Sequence, residues 1–173
     1  MFIEASRSDG TGKLAVTGNL GDIIKEACHL AYAWVKSNGK SLGITTISTN
    51  DVHLHFPAGS VPKDGPSAGI ATVVALVSMF LNIRIKPKTA MTGEISLSGQ
   101  VLPVGGIKEK VLAAKRAGVC NVILPRKNAK DLDEIGLDVR DSLSFTFVGT
   151  IPEALNAAFG MSDFELPILK SLL

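Results

Sequence analysis

Only two cysteines occur in 173 residues, Cys28 and Cys120, with no Cys-x-x-Cys spacing. That excludes a disulfide framework and argues against a zinc site. Cys28 falls in a helical pattern and Cys120 just before an apolar run, so both read as small core residues in a reducing compartment. Excess charge is missing as well. The formal charge is +2 and no run of five like charges occurs, which disfavours nucleic acid or an anionic membrane as a partner held by bulk electrostatics. No segment reaches 18 uninterrupted apolar residues, and Met1-Phe2-Ile3-Glu4-Ala5-Ser6-Arg7 lacks the charged-then-apolar order of a signal peptide. The chain is therefore expected to be soluble and intracellular, in the cytoplasm or an organelle matrix. A phosphate loop is lacking too. Gly10 to Lys13 approaches one, but no Ser or Thr follows the lysine and Arg7 stands where the earlier glycine belongs.

What is present is enough apolar material for one substantial core, 46% of the residues, burying roughly 70% of the extended chain's surface. Residues 2–7 and 13–17 flank Asp9-Gly10-Thr11-Gly12, which predicts a hairpin. Ile23, Ala27, Leu30, Ala31 and Trp34 recur at helical spacing from about Asp22 to Ser37, with Gly39 as the stop. Residues 37–50 read as an exposed connection with room for an edge strand. Val52, Leu54 and Phe56 alternate with His53 and His55, the period of a strand buried on one face. Thr89–Leu97 and Val101–Val104 surround Ser98-Gly99-Gln100, a second hairpin signal. Gly105-Gly106 turns the chain into a helix from about Ile107 to Ala117. A strand at Val122–Leu124, a short helix capped by Asn128, a strand at Leu143–Val148 and a last helix opened by Thr150 and Glu153 complete the pattern. The fold class expected is α+β, mixed α/β, with short sheets packed against about five helices. Residues 1–160 would form the domain and 161–173 an arm on its surface.

The chain is organised around Pro62-Lys63-Asp64-Gly65-Pro66-Ser67-Ala68-Gly69, the loop that opens its most apolar helix. From Ile70 to Leu81 only Thr72 and Ser78 carry polar side chains, so this helix is central and buried, and Ser67 stands at the rim of the core. A helix N-terminus offers unpaired N–H groups and partial positive charge, which suits an anion or the oxyanion formed when a carbonyl is attacked. Ser67 thus reads either as a capping serine or as a nucleophile.

A serine hydroxyl needs a base. On the helix from Ile107, a turn of 100° per residue puts Ile107, Val111 and Ala114 on one stripe, with Lys110 and Ala117 at its border, while Lys108 falls beside Lys115 on the wet side. Lys110 is the lysine expected to be desolvated, and burial favours the neutral amine that a base requires. A lysine whose stem covers the core edge while its amine reaches water has the same periodicity. His53 and His55 share one strand face. Without a third ligand nearby, they read as two histidines in a polar cluster in preference to a metal pair.

Three segments, Pro62 to Gly69, Ala90-Met91-Thr92-Gly93-Glu94 and Leu102-Pro103-Val104-Gly105-Gly106-Ile107-Lys108-Glu109-Lys110, closely resemble the proteolytic domain of Lon, the ATP-dependent serine protease. The likeness extends to Gly18–Lys25, Ala113–Gly118 and Leu124-Pro125, covering most of residues 2–160. Its form, with His53-Leu54-His55 ahead of the loop, is similar to the soluble rather than the membrane-anchored branch. The resemblance implies a Ser–Lys dyad with Ser67 as nucleophile, Lys110 as general base and Thr92 placed to orient the lysine amine. It implies that Asp64 and Gly65 shape the site, their N–H groups and that of Ser67 forming an oxyanion hole. No metal or cofactor is implied for this chain. ATP and Mg belong to the AAA+ motor of the full-length polypeptide, a hexamer that unfolds protein substrates and threads them to the proteolytic sites.

Two other functions fit the same residues. A catalytically silent Lon-like scaffold would be expected to lack Ser67 or Lys110, and both are present. A hydrolase built on His53 or His55 with Asp64 would form a triad. The tail Ser171-Leu172-Leu173 lacks the basic middle residue of the peroxisomal address.

Overall fold

In the computed structural model, which describes residues 1–160, β1 (Glu4–Asp9) and β2 (Leu14–Thr17) flank the expected turn but do not pair with each other. A third strand, β3 (Asn50–His55), lies between them, antiparallel to β1 and parallel to β2. The predicted hairpin is thus corrected to a split pair. Its cause is Asp51, whose carboxylate accepts the N–H groups of Thr11 and Lys13, both at 2.8 Å, so that the turn closes around the start of β3. Those N–H groups, Lys13 first and Thr11 next, hold the Asp51 carboxyl below its ordinary range. Val52, Leu54 and Phe56 are buried as their alternation predicts.

Helix α1 (Asp22–Asn38) ends at Gly39 as expected, but its phase differs at the start. Ile23 is 51% exposed and Ile24 only 2%. Neighbours on a helix stand 100° apart, and Ile24 is the one in line with Ala27, Cys28, Ala31 and Val35. Residues 37–50 hold no strand before Asn50. Instead their turns bury Leu42, Ile44 and Ile47.

Helix α2 (Gly69–Leu81) is the central one, with Ile70, Val73, Val74, Leu76 and Val77 almost fully buried between α1 and the first sheet. Each such side chain contributes about 1.5–3 kcal/mol by leaving water. Thr72 is buried too, and its hydroxyl donates to Ala68 O at 2.9 Å. The facing Cys28 thiol is pushed up to about 11 by burial, against a smaller opposing effect of a hydrogen bond with Thr72.

The run predicted as one strand over Thr89–Leu97 breaks at Thr92-Gly93 and serves two sheets. β4 (Thr89–Met91) precedes the break, while β5 (Glu94–Ile95) follows it and makes the expected hairpin with β6 (Val101–Leu102). α3 (Ile107–Arg116) buries Ile107, Val111 and Ala114, the predicted stripe. After it come β7 (Asn121–Pro125), a 3₁₀ segment at Arg126–Glu134, α4 (Leu137–Arg140) and β8 (Ser144–Val148). β4, β7 and β8 form a parallel sheet in that order. α5 (Ile151–Phe159) starts with the predicted cap, Thr150 Oγ1 accepting from Glu153 N at 3.4 Å. The Glu153 carboxylate takes Gly149 N and Arg126 instead of completing the box.

Strand β7 separates two apolar clusters. Ile123 belongs to the core around α1, α2 and α5, whereas Val122 and Leu124 face α3 and the 3₁₀ segment. Both faces are covered, as parallel strands require. Cys120, expected inside, is exposed at the edge just before this strand. The arm expected at 161–173 lies outside the described residues.

Candidate active site

Ser67 occupies the middle of a 3₁₀ turn, Pro66–Ala68, set in front of α2 rather than within its first turn. Gly65 opens the turn at φ 109°, a conformation side chains rarely adopt, and Pro66 follows with no N–H to leave unpaired. The N-cap of α2 is Ala68, with no side-chain cap, so the Ser67 hydroxyl is not the helix cap. Two donors meet at the Ser67 carbonyl oxygen, Gly93 N at 2.9 Å and Thr92 Oγ1 at 3.1 Å. Ile70 N donates in turn to Gly93 O at 3.1 Å, and Thr92 N to Ile123 O at 3.2 Å. The break between β4 and β5 therefore stitches the serine turn to α2 and β7.

Thr92 was expected to hold the lysine amine. Its hydroxyl is given instead to the main chain of Ser67. Thr92 is only 7% exposed, and a buried O–H must find an acceptor; the second lone pair of the Ser67 carbonyl provides one. Lys110, in the first turns of α3, donates to Gly105 O at 2.6 Å, in the loop ahead of its own helix. It is partly buried and Lys108 exposed, the order predicted, but Lys115 is partly covered too and pairs with Asp138 at 3.4 Å, while Ala117 is exposed. The expectation that Lys110 is the one desolvated lysine of α3 is corrected accordingly.

The loop carrying Gly105 is held by Asn128, which was expected to cap a helix. Asn128 is 4% exposed, and its amide accepts from Val104 N at 3.0 Å and donates to Val104 O at 2.9 Å, imitating a strand partner. No pattern of residue types distinguishes that role from a cap.

Asp64 turns away from the site. Its Oδ1 accepts from Ile24 N at 3.0 Å and from Gly65 N at 2.8 Å, so it caps α1 and engages one N–H expected in the oxyanion hole. Gly21 permits the approach, since a Cβ there would lie 2.3 Å from the Asp64 carboxyl carbon. Lys63, absent from the expected site, gives its ammonium to three main-chain carbonyls.

His53 Nε2 and His55 Nδ1 both meet the Thr17 hydroxyl, at 2.9 and 2.8 Å. That is the polar cluster predicted. Neither histidine is brought to Asp64, so the triad arrangement is not assembled. Among the described residues no group of three or more His, Cys, Asp or Glu side chains could hold a metal, and no helix is long and apolar enough to cross a membrane.

The model of the Lon protease (S16) C-terminal proteolytic domain matches residues 1–161. Lon protease homolog 2, peroxisomal, of Xenopus laevis is 55% identical over an aligned length of 180 residues that takes in the whole of this chain and 21% of that protein. The human protein of the same name is 54% identical over 166 residues, 92% of this chain and 20% of its own length. Lon protease of Methylocella silvestris is 49% identical over 170 residues, 96% of this chain and 21% of its own. The chain spans about a fifth of the length of these relatives. The mixed α/β architecture, the serine turn before a buried helix and these matches agree, and the chain belongs to the Lon (S16) family of serine peptidases as its proteolytic domain.

Proposed function

We propose that this domain is an endopeptidase for unfolded polypeptide, with Ser67 as nucleophile and Lys110 as general base. The observation that carries the reading is that Ser67 is tied through its carbonyl to Thr92 and Gly93 while its hydroxyl does not cap α2, whose N-cap is Ala68. A serine positioned by its main chain keeps its hydroxyl for chemistry. Attack forms the Oγ–carbon bond as the hydroxyl proton passes to the Lys110 amine. Collapse of the tetrahedral intermediate breaks the C–N bond and returns that proton to the leaving amine, and water repeats the sequence on the acyl-serine. A neutral amine has a lone pair beside its N–H bonds, so donation to Gly105 O leaves the base function intact. The oxyanion draws on main-chain N–H groups of the 64–67 turn, and it gains that of Gly65 when Asp64 releases it.

Thr92 acts in this reading by fixing Ser67, and Asp64 by tying the loop to α1. The AAA+ motor with its ATP and Mg, and a hexameric assembly, belong to the longer polypeptide of which this domain is the proteolytic part. Substrates would reach the site already unfolded. Two of the relatives are named peroxisomal, which makes an organelle matrix the location proposed.

Hydrolysis of small unstructured peptides tests the assignment. Ser67→Ala and Lys110→Ala should each lower kcat/KM by roughly 10²–10⁴-fold, and Lys108→Ala should leave most of it. Lys110→Arg should fail like alanine, since a guanidinium does not give up its proton at working pH. Full activity in Lys110→Ala, or its loss in Lys108→Ala, would overturn the reading.

A further inference from the structure

We infer that Lys63 is a positioning residue for catalysis, a role that rests on Ser67 being the nucleophile. Its ammonium donates to Gly18 O at 2.9 Å, Ala58 O at 2.8 Å and Val61 O at 3.0 Å. An ammonium has three N–H bonds, and each finds a carbonyl. The side chain thereby fills the inside of the bend between Phe56 and Pro62, tying it to the segment ahead of α1. Main-chain bonds act at the same place: Lys63 N donates to Asn19 O at 3.1 Å and Gly21 N to Lys63 O at 2.8 Å. Asn19 adds a tie of its own, Nδ2 to Gly59 O at 2.9 Å.

The consequence reaches Ser67 in four residues. Directly after Lys63, Asp64 is anchored on Ile24 N, and beyond the turn Ser67 O is anchored by Thr92 and Gly93. Between these anchors only Gly65 and Pro66 intervene, and Pro66 has its φ fixed by its ring. Lys63 therefore sets where the turn begins, and with it the direction of the N–H groups that receive the oxyanion. Charged donors to main-chain carbonyls are the stronger class of hydrogen bond, so this single side chain defines the bend more firmly than any neutral residue of its length.

Lys63→Met keeps the stem and removes the donors. In a Cys120→Ser background, Lys63→Cys alkylated with 2-bromoethylamine restores an ammonium at nearly the same reach, and Cys28 is buried. The readouts are the rate of acylation by a fluorophosphonate probe, kcat and KM for an unstructured peptide, and the folded fraction by circular dichroism. Expected is a fall of tenfold or more in acylation and kcat for Lys63→Met, with KM within threefold and the folded fraction unchanged, and recovery of most of the rate in the aminoethylated protein. Acylation within twofold of the parent would overturn the role of Lys63 while leaving the dyad untouched. So would a loss that tracks the folded fraction, or an aminoethylated protein that stays slow. If Lys63→Met does not fold, Asn19→Gly removes the neighbouring tie while suiting the positive φ of 57° at that position; a rate equal to the parent's would overturn the clamp. Retained hydrolysis in Ser67→Ala is a different failure, that of the nucleophile itself.

Discussion

The hydroxyl of Thr92 donates to the carbonyl oxygen of Ser67 at 3.1 Å, so a residue within the break between β4 and β5 holds the backbone of the turn ahead of the central helix. Thr92→Val is nearly isosteric and leaves the Gly93 bond to the same oxygen. It should cost about 1 kcal/mol of stability. With Ser67 as the proposed nucleophile, its acylation should slow on the order of tenfold, because displacement costs it its angle of attack. Thr92→Ser should restore both. Thermal unfolding measured beside single-turnover acylation checks the pair of effects, and a normal acylation rate in Thr92→Val would contradict them.

Asn128 supplies both atoms of its amide to Val104, and both main-chain groups are partly or fully removed from water. Asn128→Ala leaves a donor and an acceptor unpaired, for which about 2–4 kcal/mol is the expected loss in urea unfolding. The Gly105 loop should loosen with it, raising hydrogen exchange at residues 103–106 beyond the global change.

The carboxyl of Asp51 is held below its ordinary range by the N–H groups of Lys13 and Thr11. Its contribution to folding is complete above the unfolded-chain value of about 3.9 and is given up as pH falls through the lower folded value. Comparison with Asp51→Asn should therefore give a constant difference in Tm from pH 7 to about pH 5. Below about pH 4 that difference should shrink. A difference that grows on acidification would contradict the assignment.

Burial pushes the Cys28 thiol up to about 11 while Cys120 is exposed. Native protein at pH 8 should consequently react with a disulfide reagent at one thiol per chain, and denatured protein at two. Cys120→Ser should abolish the native reaction.

The placement of Ser67 in a turn before the buried helix and of Lys110 at the border of the α3 stripe is legible from local signatures, a small-residue turn before an apolar run and a lysine beside a helical stripe. Their catalytic roles rest on the likeness of three short segments and belong to the proposal. The phase of α1 was harder, since Ile23 and Ile24 are chemically identical and only the packing partner selects between them. Lys63 and Asn128 were illegible for a different reason. Their partners are main-chain carbonyls and amides tens of residues away in part, and a backbone group has no residue identity to read. The same holds for β1 and β2, whose turn chemistry is that of a hairpin until Asp51 arrives.

That late arrival has a kinetic side. β1 and β2 are complete in sequence by Thr17, yet the strand that joins them begins at Asn50. Their hydrogen bonds must wait while the intervening chain, including the whole of α1, is made and brought back. Closure over such a span is slow compared with local helix formation. As residues 1–17 leave the ribosomal tunnel they present two unpaired edges, and the safest path is for α1 to fold first and deliver β3 between them. A pause placed once residue 55 has left the tunnel should therefore raise the yield of folded domain, whereas one placed when only residues 1–17 have left it would hold both edges open.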